Sequence, residues 1–522
     1  MKDVKDGVGI GRVPTDSGPA AEMMHNIKIN SLWPALILLA AAMALYAVSV
    51  MAAGGHTIDD AYISARYAKN FAAYGQLTWN LYEIPRTEGY TSPLWVLLSS
   101  LVFFVTDGFP FRLIQFMSIF FGALTLLMLF ALGRKLRISP WSAALPPLFL
   151  SVSLPFVLWS ASGMENALYT FLVLLGMYLV VDEEDNGLNY ITPLVFFLIF
   201  LARTEGLVFY LSVVTVRGGK FLLYADARGG DMKRFLIWNA IFWLCFFTYL
   251  LWKLYYYQAV LPLPVYVKKP DGLAGFDYVA DFLGYIAPSL VLALLGLKAG
   301  WSIRKLLLWV ALGAYLLAIS FSNPLMGWDF RLLVAAFPFI YLLAVWELDR
   351  IFLVENPHTL NGFLFGVIAC LLFLTVLKDP GDYLDSLRRR AAASAQVLGS
   401  VHAPLGQWLD RQPKKAGTKK VALADVGAVS FYFDGEVIDF YGLNDRKIAY
   451  EGFSARSVLE RNPDYVILNS KNKATFHGND SPCGNMSDEI FKSELFQKHY
   501  CFVTQFATHK PFYSLWVYKR RH

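Results

Sequence analysis

The chain has 522 residues, 56% of them hydrophobic and only 16% charged, a balance far more apolar than that of water-soluble globular domains. It is the composition of an integral membrane protein. The formal net charge of +6 does not mark a nucleic-acid partner, because most Lys and Arg stand in short loops between apolar runs, where they set orientation.

Residues 1–30 are polar, rich in Gly and Asp and without periodicity, which predicts a disordered cytoplasmic tail. Apolar runs at 31–53, 111–132, 140–158, 167–181, 191–203, 206–216, 235–256, 281–297, 305–322, 331–348 and 361–377 predict about eleven transmembrane helices. The first run lacks a small-residue cleavage site and reads as a retained span. The run 93–105 is apolar but short, so it is expected to lie in the interface. That choice places Arg134, Lys135, Arg137, Arg217, Lys220, Arg228, Lys233, Arg234, Lys298, Arg304 and Lys305 on the cytoplasmic side. It also puts the N-terminus inside and the C-terminus outside.

Residues 31–377 therefore read as a transmembrane domain with a large first outer loop at 54–110. After Lys378 the hydrophobicity collapses. The stretch 378–416 is a linker whose 388–401 segment is either an amphipathic surface helix or a plain helical connection, with Pro404 and Gly406 expected to end it. Short apolar runs at 421–425, 437–440 and 465–468 read as buried parallel strands, with 454–461 helical between the latter two. Residues 417–522 are thus a small extracytoplasmic α/β domain. Cys483 and Cys501 lie in it and are either bridged or two free thiols.

The first loop is the most unusual part of the chain. Asp59 and Asp60 stand together where a membrane helix has just ended, opening a helix expected over 59–73. A carboxylate pair at a membrane face is unfavourable unless it is solvated, paired or used. One reading is a first-turn pair satisfying free N–H groups; the other is a catalytic acid pair. Arg66, Trp79, Glu88, Tyr90, Thr91 and Ser92 bring aromatic and polar groups to the same face, either as a sugar-binding platform or as an interfacial aromatic belt.

Other outer loops carry polar residues that passive turns do not require: Glu165, Arg203 with Glu205, Lys268 with Lys269, and Asp329 with Arg331. Arg203 and Glu205 can simply neutralise each other, and Arg331 can snorkel from the start of a span. A lipid phosphate needs cationic donors at the interface, and Arg203, Lys268, Lys269 and Arg331 are the candidates. Metal-ligand spacing, a nucleotide-binding glycine motif and a Ser-His-Asp set are all missing, so neither metal nor cofactor is expected. The turns at 424–428 and 442–445 are either strand-end sugar sites or turn chemistry alone.

The runs Ile58-Asp59-Asp60-Ala61-Tyr62-Ile63 and Glu88-Gly89-Tyr90-Thr91-Ser92-Pro93-Leu94-Trp95 resemble the first outer loop of membrane glycosyltransferases of the C-type (GT-C) fold. The resemblance is in particular to the terminal arabinofuranosyltransferases of mycobacterial cell-wall arabinan and their bacterial relatives. Gly163-Met164-Glu165, Arg203-Thr204-Glu205-Gly206, 261–268 and 439–445 also look like that family. It implies a polyprenyl-monophosphate-sugar donor, a glycan or glycoconjugate acceptor, and an outer-face site with a first-loop acid as general base and inversion at the anomeric carbon. Asp59 matches that acid and Asp60 its neighbour. The chain departs from the family at Gly327-Trp328-Asp329, where relatives often have Gly-Gly-Asp, and at Leu263, where they often have Asn. The competing readings are a transporter or flippase of lipid-linked sugars, and a non-catalytic envelope assembly protein.

Overall fold

The computed structural model describes residues 32–106, 110–223, 229–269, 272–298, 301–354, 359–413, 418–470, 476, 481–509 and 512–521. The predicted tail 1–30, Arg228 and the polar break at 414–417 lie outside them. Each of the eleven apolar runs contains helix. Among the described residues seven helices are long and apolar enough to cross a membrane, or up to nine if each of two bent pairs is one span.

The bends have a local cause. Pro140–Ser151 and Leu154–Ala161 meet at 64°, and Ala274–Tyr285 and Ala287–Lys298 at 82°. In both pairs the second helix has proline in its first turn, Pro155 and Pro288, where the missing N–H starts a helix but cannot continue one. The runs at 191–203 and 206–216 form Ile191–Ala202, with 12 residues, and Gly206–Leu223, separated by an extended Arg203. Pro93–Val105 has 13 residues and would reach only about 20 Å at 1.5 Å per residue. That is too short to cross a hydrocarbon core of roughly 30 Å.

Burial sorts the helices into inner and outer ones. The window in Trp328–Leu353 is 89% buried against 17% in Met232–Tyr257 and Leu360–Leu377, so the first is the axis of the bundle and the others expose apolar faces outward. Asn166–Asn186, with 21 residues, extends about 30 Å, and its two ends carry different chemistry. At its C-terminal end Glu183 pairs with Arg217 at 2.5 Å, Asp182 with Lys135 and Asp185 with Arg304, while Lys305 pairs with Glu347 nearby in sequence to Asp349. Just before its N-terminal end, the Ser162 and Gly163 carbonyls accept from Thr57 and Trp95 of the first loop.

The linker helix Tyr383–Val397 does not stop at Pro404. A wide turn at Leu398–His402 carries the chain into Ala403–Arg411, where Pro404 sits in the first turn and loses no hydrogen bond. Beyond it lie β1 (Lys420–Leu423), β2 (Glu436–Asp439), β3 (Tyr465–Ser470), β4 (Tyr500–His509) and β5 (Phe512–Arg520), in sheet order β2-β1-β3-β5-β4. The three predicted strands are parallel, as their unbroken apolar runs imply. The antiparallel β4–β5 hairpin is not legible in that way, because β4 is a half-exposed edge strand with mixed polarity. Cys483 and Cys501 are both free thiols.

Candidate active site

The helix Asp59–Tyr74 begins after an extended Ile58 with no side-chain cap, so both acids stand in its first turn but neither is its N-cap. Neighbouring residues on a helix point about 100° apart, and here that rotation sends the two carboxylates to different bodies. Asp59 faces the C-terminal domain. Its Oδ2 accepts the Gly427 N–H at 2.7 Å, and its Oδ1 accepts the Ala428 N–H at 2.8 Å and His402 Nδ1 at 2.9 Å. Asp60 faces the bundle and accepts from Arg331 Nη1 at 2.7 Å.

Asp60, Arg331 and Lys268 border a pocket of about 60 Å³, room for one phosphate-sized group. Ser64, Tyr90, Thr91, Ser92, Glu165 and Leu443 also line it, with Ile63, Gly89, Met164 and Pro264. Burial opposes charge on Asp60, but Arg331 and Lys268 outweigh it and hold the carboxyl below its usual range. Burial also pushes the Lys268 ammonium down, with Asp60 countering in part. Arg331 lies over the Trp159 ring at 5.3 Å, and its Nε has no hydrogen-bond partner among the described residues. Just before it, Asp329 and Phe330 adopt φ of 47° and 54°, a left-handed kink that non-glycine residues enter at an energetic penalty.

Seven predicted residues therefore meet at one pocket: Asp60, Tyr90, Thr91, Ser92, Glu165, Lys268 and Arg331. Others are engaged elsewhere. Arg203, expected to bind phosphate, is buried between Glu165 at 2.6 Å and Glu205 at 2.9 Å, so the neutralisation reading fits it and Glu205. Arg66, expected to bind substrate, stacks on the Trp79 ring at 4.7 Å and donates to the carbonyls of Trp79, Ser430, Phe433 and Gly435. Trp79 is itself fully buried. Glu88 pairs with Lys253 at 2.8 Å, because a buried carboxylate needs a counter-charge. Asp329 pairs with Arg390, and Lys269 is exposed outside the pocket lining.

The first-loop run 88–95 and the C-terminal run 439–445 touch in space. Gly89 N–H donates to Tyr67 Oη at 2.8 Å, and Tyr67 Oη donates to Asn444 Oδ1 at 3.2 Å. Asp439, buried and pushed up to about 7 by that burial, folds the 441–444 loop by accepting the N–H groups of Tyr441, Gly442 and Asn444. The 442–445 segment is thus turn chemistry that also presents Leu443 to the pocket. Three participants are missing from the sequence reading. Ser64 follows Asp60 by one helical turn, so the period could have found it; Trp159 and His402 leave no comparable signal. Among the described residues no group of three or more His, Cys, Asp or Glu side chains is placed to hold a metal ion.

A family model described as "Domain of unknown function (DUF8728)" matches residues 389–518. No curated protein matches the chain. Among solved structures, ArnT from Cupriavidus metallidurans bound to undecaprenyl phosphate is similar over 92% of this chain and 97% of that one, with 13% identity and a TM-score of 0.55. The apo state of the same protein gives 11% identity, the same coverage and a TM-score of 0.58. An Archaeoglobus fulgidus oligosaccharyltransferase tethered with an acceptor peptide containing the NVT sequon covers 94% of this chain and 74% of that one, with 13% identity and a TM-score of 0.52. The chain has the GT-C fold, with a small C-terminal domain built on a five-stranded sheet.

Proposed function

We propose that the protein is an inverting glycosyltransferase that moves a sugar from a polyprenyl-monophosphate donor to a glycan or glycoconjugate acceptor. The observation that carries this is the meeting of Asp60, Arg331 and Lys268, drawn from three distant segments, at a phosphate-sized pocket. Arg331 and Lys268 stand together beside Asp60, while the second carboxylate of the lining, Glu165, is already paired with Arg203, so both cations can donate to a monophosphate. The likeness to ArnT solved with undecaprenyl phosphate supports the same donor class. For the sugar, the resemblance of 58–63 and 88–95 to arabinofuranosyltransferases supports arabinofuranose.

In this reading the donor phosphate sits against Arg331 and Lys268. Asp60, relieved of Arg331, regains basicity and takes the proton of the acceptor hydroxyl. The acceptor oxygen attacks the anomeric carbon opposite the phosphate, the bond from that carbon to the phosphate oxygen breaks, and polyprenyl phosphate leaves with the electron pair. Base assistance of this kind is typically worth about 10² to 10⁴ in rate.

The orientation follows from charge. Lys135, Arg137, Arg217, Arg304 and Lys305 gather at the bundle end away from the pocket, which supports a cytoplasmic location for that end and an extracytoplasmic one for the site and the C-terminal domain in a bacterial inner membrane. The test is incubation of purified protein in detergent with a panel of polyprenyl-phosphate sugars and cell-envelope glycans as acceptors. Consumption of one donor with release of polyprenyl phosphate is expected; no consumption of any, with the lipid phosphates unbound, rejects the reading.

A further inference from the structure

The helix Asp59–Tyr74 carries two different stripes. Asp59, Tyr62, Arg66 and Lys69 recur at helical spacing and all meet the segment 427–435 of the C-terminal domain. Asp59 takes the amides of Gly427 and Ala428, and Tyr62 packs edge-on to Phe431 at 5.6 Å. Arg66 donates to three carbonyls there, and Lys69 pairs with Asp434 at 2.7 Å. Asp60 and Ser64 form the neighbouring stripe and face the pocket. One rigid helix therefore ties the domain to the transfer site.

The grip on Asp59 stands at a telling place in the sheet. The chain leaves β1 for β2 on one side and then crosses to β3 on the other, and in open α/β sheets the crevice at the carboxyl ends of such strands is where ligands bind. Here the turn after β1 holds the carboxylate of the protein's own first loop. Gly427 is required for that approach, since a Cβ there would lie 2.0 Å from the Asp59 carbonyl oxygen. Behind it His402 is buried, with its ring 5.3 Å from Tyr513, which donates to Asp425; Asn469 Nδ2 donates to the same Asp425 oxygen at 2.5 Å.

We propose that the C-terminal domain is a working part of the transfer site: it grips Asp59 so that Asp60 is aimed into the pocket, and His402 is the positioning residue of that grip. This rests on the transferase reading for its kinetic consequence but not for the grip itself. Asp59 is then the anchor of the acid pair and Asp60 the group that reacts.

The experiment compares full-length wild type with His402→Leu, His402→Asn and Gly427→Val. Asn places an amide donor close to where Nδ1 stands, whereas Leu removes it. Hydrogen exchange at 59–64 and 427–428 should rise at least tenfold in His402→Leu and Gly427→Val and stay near wild type in His402→Asn, with thermal unfolding of the membrane bundle unchanged. That result is independent of any activity, so it separates the grip from the transferase reading. With an accepted donor, His402→Leu should lose at least tenfold in kcat with KM for donor within about twofold, and His402→Asn should recover most of it; each factor of ten corresponds to about 1.4 kcal/mol. Unchanged exchange in His402→Leu, wild-type kcat in it, or a loss carried by donor KM alone would each overturn the proposal.

Discussion

Arg331 Nη1 lies 2.7 Å from Asp60 Oδ2, across 271 positions of chain, and the two side chains are respectively 10% and 15% exposed. A pair so little solvated cannot lose one partner without leaving the other charge unbalanced. The two substitutions should therefore separate binding from chemistry. Asp60→Asn is expected to lower transfer by about 10² to 10⁴ while binding of polyprenyl monophosphate is kept or tightened, because Arg331 no longer has a competing carboxylate. Arg331→Met should weaken lipid-phosphate binding at least tenfold. A labelled polyprenyl-phosphate titration beside a transfer assay reads both.

Lys268 gives the pH dependence. Burial lowers its pKa, so it sheds its proton at a lower pH than a surface lysine does. Its protonated form is the one that binds phosphate. Donor affinity should accordingly be full below that lowered pKa and fall as pH rises through it. Lys268→Arg, which stays charged throughout, should flatten the alkaline loss. Donor titrations at stepped pH, with wild type and variant compared, check the sign.

The membrane architecture was readable because apolar runs and basic loops are direct consequences of solvation, and each of the eleven runs contains helix. Bends were not readable as such: Pro155 and Pro288 look like any proline inside an apolar run until the angle between the flanking helices is seen. In the site, residue types singled out Asp60, Lys268 and Arg331, which the fold brings to one pocket. They could not distribute partners. Arg203 and Arg331 are equally plausible phosphate ligands in sequence, and only packing shows that the buried Glu165 and the partly exposed Glu205 already occupy Arg203. Likewise nothing in Asp59-Asp60 says which acid turns to the C-terminal domain, since that depends on where segment 427–435 lands.

The occupied state of Arg203 is itself testable. Its guanidinium neutralises Glu165 and Glu205, with Glu165 almost fully buried. Arg203→Met should destabilise the fold by about 3–5 kcal/mol, the range expected when a buried ion loses its partner. Adding Glu165→Gln and Glu205→Gln should return much of that stability, because an apolar or neutral replacement of all three leaves no unpaired charge. Thermal unfolding of the single and triple variants measures it; a single variant as stable as wild type rejects the assignment.

Gly89 offers a steric test of how the first loop meets the C-terminal domain. A Cβ at this position would stand 1.9 Å from Asn444 Oδ1 and 2.7 Å from the Leu443 carbonyl oxygen, so the 88–92 and 441–444 loops must separate to accept it. Overpacking of this kind typically destabilises by about 1–3 kcal/mol. Since Tyr90, Thr91, Ser92 and Leu443 all border the pocket, the separation should also widen it. Gly89→Ala is therefore expected to reduce transfer and raise hydrogen exchange in both loops together. Removing the Asn444 side chain in the same protein relieves the nearer clash but not the backbone one, so Gly89→Ala with Asn444→Ala should recover only part of the loss. Full recovery would mean that the Leu443 backbone yields freely, and the loop contact would then be a loose touch rather than a wall of the site.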